Sequence, residues 1–159
     1  MGRMKQASRQ PAGIPPGAVP AMESPPPAGA PLMAGSVIAG FPSPAEQYVE
    51  RPLDLNELLV ARPAATYFVR AQGDSMSGAG VQDGDLLVVD RSLEPEDGSM
   101  VIACVDGEFT VKTYRQDRGG VRLEAANPAY PPIRFSGEME LRVFGVVTAV
   151  VHRLVAREP

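Results

Sequence analysis

The stretch Val101-Ile102-Ala103-Cys104-Val105-Asp106-Gly107-Glu108-Phe109-Thr110-Val111-Lys112-Thr113-Tyr114 decides the fold. Asp-Gly between two apolar, β-branched runs is the strongest short hairpin signal, because both central turn positions need positive φ. Residues 101–105 and 108–114 are therefore read as antiparallel strands joined by a two-residue loop. Val105 then faces Glu108, Ala103 faces Thr110 and Val101 faces Lys112, and opposed residues share a face of the sheet. Lys112 lies beside Val101 and diagonally beside Ala103. Cys104 falls on the other face as a small core hydrophobe.

Short strands continue on both sides. Thr66–Arg70 reads as a strand ended by Gly73, and Leu86–Asp90 as another behind the Asp83-Gly84 turn. Further strands are expected at 121–125, 133–136 and 141–151. Residues 54–60 read as a short helix: Asp54 caps it, Glu57 stands three residues on as in a capping box, and Pro63 stops it. Six or more short strands with little helix indicate a mainly antiparallel β fold. No internal repeat is visible.

The N-terminal part is different. Ten of the 17 prolines lie at or before Pro44, and residues 9–31 are nearly all Pro, Ala and Gly. Proline removes donors and blocks helix and central strand, so a disordered, polyproline-like arm is expected. The organisation read from composition is a Pro/Ala/Gly-rich extension over 1–30, an arm over 31–46 and a β domain over 47–159. Prolines also break any apolar signal-peptide core after Lys5. Met4, Met22 and Met33 are each alternative starts.

The chain has 159 residues, enough for one ordinary domain, with 44% apolar and 21% charged residues. One Cys and one His (His152) exclude an internal disulfide, a Cys-rich zinc site and an iron–sulfur cluster. No metal and no cofactor are expected. The acidic cluster Asp83, Asp85, Asp90, Glu94, Glu96 and Asp97 is out of order for an EF-hand. Net charge is −4, made of +2 over residues 1–45 and −6 beyond, which argues against direct binding to DNA or an anionic membrane. No apolar run approaches the ~18–20 residues of a membrane span.

Two residues carry candidate chemistry. There are 13 Arg and two Lys, so Lys112 is the single lysine outside the arm. Lysine, unlike arginine, can be deprotonated near neutral pH. Either it is a solvated strand residue, or burial beside Val101 and Ala103 lowers its pKa and makes it a general base. Ser75, in Gly73-Asp74-Ser75-Met76, follows a strand and precedes a Gly-rich turn. Either it belongs to an ordinary Asp-Ser turn, or it is an exposed nucleophile backed by free backbone N–H groups. A serine needs a base, and Lys112 or His152 are the options. His152 reads as a strand-end residue, and Asp74 as a side chain that holds the turn.

Gly73-Asp74-Ser75-Met76, then 81–90, then 105–112, resemble in order and spacing the LexA/UmuD family of Ser-Lys self-cleaving proteins. Gly40-Phe41-Pro42-Ser43-Pro44-Ala45-Glu46-Gln47-Tyr48-Val49-Glu50 and Asp54-Leu55-Asn56-Glu57-Leu58-Leu59 resemble the branch that serves as accessory subunit of an error-prone DNA polymerase. The similarity runs from about Pro31 to Val151. It implies a LexA/signal-peptidase-like antiparallel β fold, with Ser75 as nucleophile and Lys112 as general base. It also implies self-cleavage between Ala39 and Gly40, with Val37, Ile38 and Ala39 docking as an extended strand. The implied trigger is RecA on single-stranded DNA. The implied product is a cytoplasmic homodimer serving a Y-family, UmuC-like polymerase subunit in the SOS response. Only about 39 Pro-rich residues precede the cut, too few for a helix-turn-helix domain. The alternatives are a LexA-like or phage-type regulator or antirepressor without its DNA-binding domain, and a non-catalytic β interaction module. The resemblance says nothing about the extension before Pro31.

Overall fold

In a computed structural model of the chain, residues 13–26, 29–33, 39–40 and 49–155 are described. The strands are β1 (Val19–Pro20), β2 (Gly29–Met33), β3 (Val49–Asp54), β4 (Thr66–Arg70), β5 (Leu86–Asp90), β6 (Met100–Val105), β7 (Glu108–Asp117), β8 (Gly120–Glu124), β9 (Ile133–Arg134) and β10 (Leu141–Val151). One short helix, α1 (Leu55–Leu59), separates β3 from β4. Eight strands form one antiparallel sheet in the order β1-β4-β5-β10-β6-β7-β8-β9, and β2 and β3 form a separate ribbon. The mainly antiparallel β architecture read from the strand pattern is the one observed.

The Asp106-Gly107 hairpin has the expected register: Val105 faces Glu108, Ala103 faces Thr110 and Val101 faces Lys112. Asp106 and Gly107 have φ of 48° and 88°, the positive pair that such a loop demands. Alternation then sorts the hairpin between two cores. Ile102 and Cys104 join Val69, Met76, Leu87, Val89 and Phe144 on one face, with Cys104 buried there. Val101 and Ala103 join Tyr114, Leu123 and Leu141 on the other. β5 and β6 are continuous apolar runs because both of their faces are covered.

Strand order is the part that local pattern does not show. β10, eleven residues long, inserts between β5 and β6, pairing with each through a register shift. Helix α1 is shorter than expected; Asp54 caps it by accepting from the Asn56 N–H at 2.8 Å. Its Leu55 and Leu58 stay exposed, so it adds little core.

The arm departs from its expectation at two places. Val19–Pro20 pairs with β4, and Gly29–Met33 pairs with β3, Pro31 standing opposite Pro52. Prolines are tolerated because each of these strands has an unpaired side toward which a missing donor can point. The expectations for residues 1–12, 27–28, 34–38 and 41–48, including the docking of Val37 and Ile38, lie outside the described residues. No helix among the described residues is long and apolar enough to cross a membrane.

Candidate active site

Strand β4 ends at Arg70, and the chain turns back through Gly73-Asp74-Ser75-Met76 into a single 3-10 turn, Ser77–Ala79. Met76 is buried in the first core and pins the turn. Ser75 beside it is half-buried and faces β7. Lys112, in the middle of β7, is buried, with 7% of its surface exposed. Its Nζ lies 3.0 Å from Ser75 Oγ, 2.8 Å from Thr110 Oγ1 and 3.0 Å from the Val111 carbonyl oxygen. The fold thus joins the two candidate residues across a sequence separation of 37.

The electrostatics follow from burial. Among the described residues no carboxylate accepts from Lys112, and desolvation holds its pKa below the ordinary lysine value. A neutral amine has two N–H donors and one lone pair. Val111 O can only accept, and Thr110 Oγ1 can accept, so these two oxygens match the two donors. In the neutral form the lone pair would be left for the Ser75 hydroxyl, whose Oγ lies 3.0 Å from Nζ. Thr110 was not singled out from sequence, although it sits two residues before Lys112 and therefore on the same face of β7.

A second set of contacts holds the serine turn from outside. Residues 126–130, between β8 and β9, lie along it. The Ala126 N–H donates to Ser75 O at 2.9 Å, and the Gly78 N–H donates to Ala126 O at 2.7 Å. Asn127 Nδ2 donates to Asp74 O at 3.0 Å, and Tyr130 Oη to Asp74 Oδ1 at 2.6 Å. That bond to a carboxylate pushes the Tyr130 phenol pKa up. Asp74 holds the turn, as its position suggested. Asn127 and Tyr130 carry no local signal for this role, since their partners lie more than 50 residues away.

Among the described residues no hydrogen bond joins the remaining candidates to this pair. Ala39 and Gly40 form a solvent-exposed bend. His152 follows β10, and its Nδ1 lies 2.5 Å from Asp85 Oδ1, so its ring is engaged with a buried carboxylate. Asp85 also accepts from the Gln82 N–H, and that bond, then His152, holds its pKa below the ordinary carboxylate value against its burial.

The antiparallel β fold thus sets a turn serine against a desolvated lysine, and its class follows from the family it matches. A peptidase S24-like family model matches residues 31–148, and the chain belongs to that family. It is 50% identical to the protein ImpA of Salmonella typhimurium over 129 residues, covering 77% of this chain and 83% of that one. It is 52% identical to SamA of Salmonella typhimurium strain LT2 over 124 residues, 78% of this chain and 86% of that one. It is 44% identical to MucA of Escherichia coli over 113 residues, 70% and 77% of the two chains. Within the self-cleaving S24-like family the chain is a UmuD-like SOS mutagenesis protein.

Proposed function

We propose that the chain cuts its own Ala39–Gly40 bond with Ser75 as nucleophile and Lys112 as general base. The observation that carries this is the 3.0 Å contact between Ser75 Oγ and a buried Lys112 Nζ that has no carboxylate partner among the described residues. Neutral Lys112 takes the Ser75 proton as Oγ attacks the Ala39 carbonyl carbon. The N–H groups of Ser75 and Met76 have no acceptor among the described residues and are available to the developing oxyanion. The tetrahedral intermediate collapses as the lysine ammonium protonates the Gly40 nitrogen; the Ala39–Gly40 bond breaks, Gly40 becomes a free N-terminus, and residues 1–39 stay esterified to Ser75 Oγ. Water, deprotonated by the same amine, then releases residues 1–39 from Ser75. A small residue at 39 and glycine at 40 let the bond approach a serine set in a turn.

The domain reading follows the chemistry: an extension over 1–30, an arm with the cut over 31–46, and the β domain over 47–159. The trigger is a RecA filament on single-stranded DNA. The cut product is a cytoplasmic homodimer that serves a Y-family, UmuC-like polymerase subunit. The membership of the S24-like family and the likeness to ImpA, SamA and MucA support this course. The acidic balance of residues 46–159 suits a protein that reaches DNA through partners.

The test is intact-mass spectrometry of the purified chain incubated across pH 7 to 10, with Ser75→Ala alongside. Rising pH neutralises Lys112 and replaces the trigger. The expected result is a fragment beginning at Gly40 that grows with pH and is absent from Ser75→Ala. A fragment beginning elsewhere refutes the assigned bond. Cutting in Ser75→Ala refutes the nucleophile. No cutting at any pH, with or without RecA filament, refutes self-cleavage.

A further inference from the structure

The cleavage chemistry leaves the Pro-rich extension without a role, yet part of it is folded onto the sheet. Pro15 is buried, and the Ala18 N–H donates to Pro15 O at 3.1 Å, closing a turn whose central pair is Pro16-Gly17. Gly17 has φ of 76°, which this turn requires at its third position, and Pro16 presets the second. Beyond the turn, Val19 stands opposite Phe68 and Pro20 opposite Tyr67, and the Ala21 N–H donates to Thr66 O at 2.9 Å. Ala18 packs against the core that holds Val69 and Phe144.

The directions of the backbone groups on β4 follow from alternation. Ala71 N donates to Asp85 O and Arg91 N to Ala65 O, so odd-numbered residues bond toward β5. Thr66 and Phe68 therefore point their ladder groups the other way, toward β1. With Ala21 bonded to Thr66, the next bonded pair is Val19 with Phe68, and Pro20 falls between them. Its missing N–H faces solvent. This strand thus pairs inward and ends the ladder outward, which is how proline blunts a sheet edge.

We propose that residues 15–21 are a removable edge cap: they close β4 in the uncut chain, and cutting at Ala39–Gly40 frees that edge for an extended segment of a partner protein. The inference rests on the proposed cut, since residues 15–21 lie on its N-terminal side. While covalently tied, the cap acts at an effective concentration on the order of millimolar. After the cut it belongs to a separate peptide. Among the described residues its holds are then the two ladder pairs and the Ala21–Thr66 bond on β4, the seating of Pro15 and Ala18, the Asn56 Nδ2 bond to Pro26 O and the β2–β3 ribbon, all non-covalent, and a two-stranded ribbon is marginal in water. The freed edge offers the Thr66 carbonyl and both ladder groups of Phe68. The occupant it fits runs antiparallel to β4, as β1 does, with a small residue where Ala18 meets the core.

Amide hydrogen exchange at Phe68 tests this, with Val89 of β5 as internal reference. The full chain carrying Ser75→Ala, which stays uncut, is compared with the same chain also carrying Val19→Pro and Ala21→Pro. Those two changes remove the cap's donors without touching β4. Phe68 is expected to be protected in the first chain and to exchange about tenfold faster or more in the second. The self-cut product is expected to match the second, and a synthetic peptide of residues 13–26 at about millimolar concentration is expected to restore protection. Equal exchange in the two uncut chains overturns the cap. Protection that persists after the cut overturns its release, and a peptide that restores nothing overturns the strand-accepting edge. A chain that never cuts refutes the proposed cleavage, and with it the release, but the two uncut chains still decide whether residues 15–21 close the edge.

Discussion

Replacing Gly78 by alanine should separate the support of the serine turn from the stability of the fold. A Cβ at Gly78 would lie 2.5 Å from Ala126 O and 3.3 Å from the Ala126 carbonyl carbon. A carbon against a carbonyl oxygen settles near ~3.3 Å, so the two segments must part by about 0.8 Å. The obstacle is backbone and cannot swing aside. Ala126 accepts from Gly78 and donates to Ser75 O at 2.9 Å, so the displacement reaches the serine directly. The Ser75–Lys112 contact starts at 3.0 Å; half of that displacement would take it to the outer limit of a hydrogen bond at about 3.4 Å. Overpacking of this kind costs about 1–3 kcal/mol of stability. A ~1 Å misplacement of reacting groups costs about 100-fold in rate, so self-cleavage should slow about 10- to 100-fold. Gly80→Ala is the control. Its φ of 81° strains alanine, but nothing lies within 4 Å of a Cβ there. It should lose about 1–2 kcal/mol and cut within about threefold of the parent rate. The assay is first-order appearance of the fragment beginning at Gly40 at alkaline pH, with thermal unfolding of each variant on a Ser75→Ala background. Gly78→Ala cutting at the parent rate, or Gly80→Ala slowing equally, would refute the coupling.

Lys112→Arg should abolish cleavage with an unchanged circular dichroism spectrum, because arginine keeps the charge and cannot take a proton; measurable cutting would refute the base. Lys112→Met should stabilise the Ser75→Ala chain near neutral pH. Burial lowers the lysine pKa in the folded chain, so the unfolded chain binds the proton better. The lysine's contribution is therefore present above its ordinary value of about 10.4 and lost as pH falls through the depressed one. The advantage of Met over Lys, read by urea unfolding, should be largest at pH 7 and shrink toward pH 10. Tyr130→Phe removes the bond to Asp74 and should slow cleavage about two- to fivefold, the worth of an exposed hydrogen bond. The pH midpoint of the rate should not move, because Tyr130 touches the turn and not the lysine; a moved midpoint would refute a purely positional effect.

Much of the fold and of the candidate site was legible because it depends on short-range rules. The Asp106-Gly107 loop sets the hairpin register, and a period of two then places Lys112 beside Val101 and Cys104 on the other face. Scarcity of lysine singles out position 112 and the turn after β4 singles out Ser75, but each keeps an ordinary structural alternative until the family resemblance pairs them. Three features were decided only in three dimensions. The order β5-β10-β6 arises because β10 offers two free edges and two apolar faces, which no local pattern assigns to particular neighbours. The support of the serine turn by residues 126–130 rests on backbone groups, which every residue carries alike, and on the Asn127 and Tyr130 side chains, whose partner lies more than 50 residues away. The pairing of Val19–Pro20 with β4 runs against the extension's composition, because proline content reports missing donors but not whether an edge elsewhere needs only one side of a strand. What the sequence by itself determined is therefore the strands from β4 to β10, together with the faces and register of the Asp106-Gly107 hairpin, since these are set by neighbours along the chain. The meeting of Ser75 with Lys112, the strap that holds the turn and the closing of the β4 edge belong to the tertiary structure, because each joins groups whose distance is set by the packing of the whole sheet.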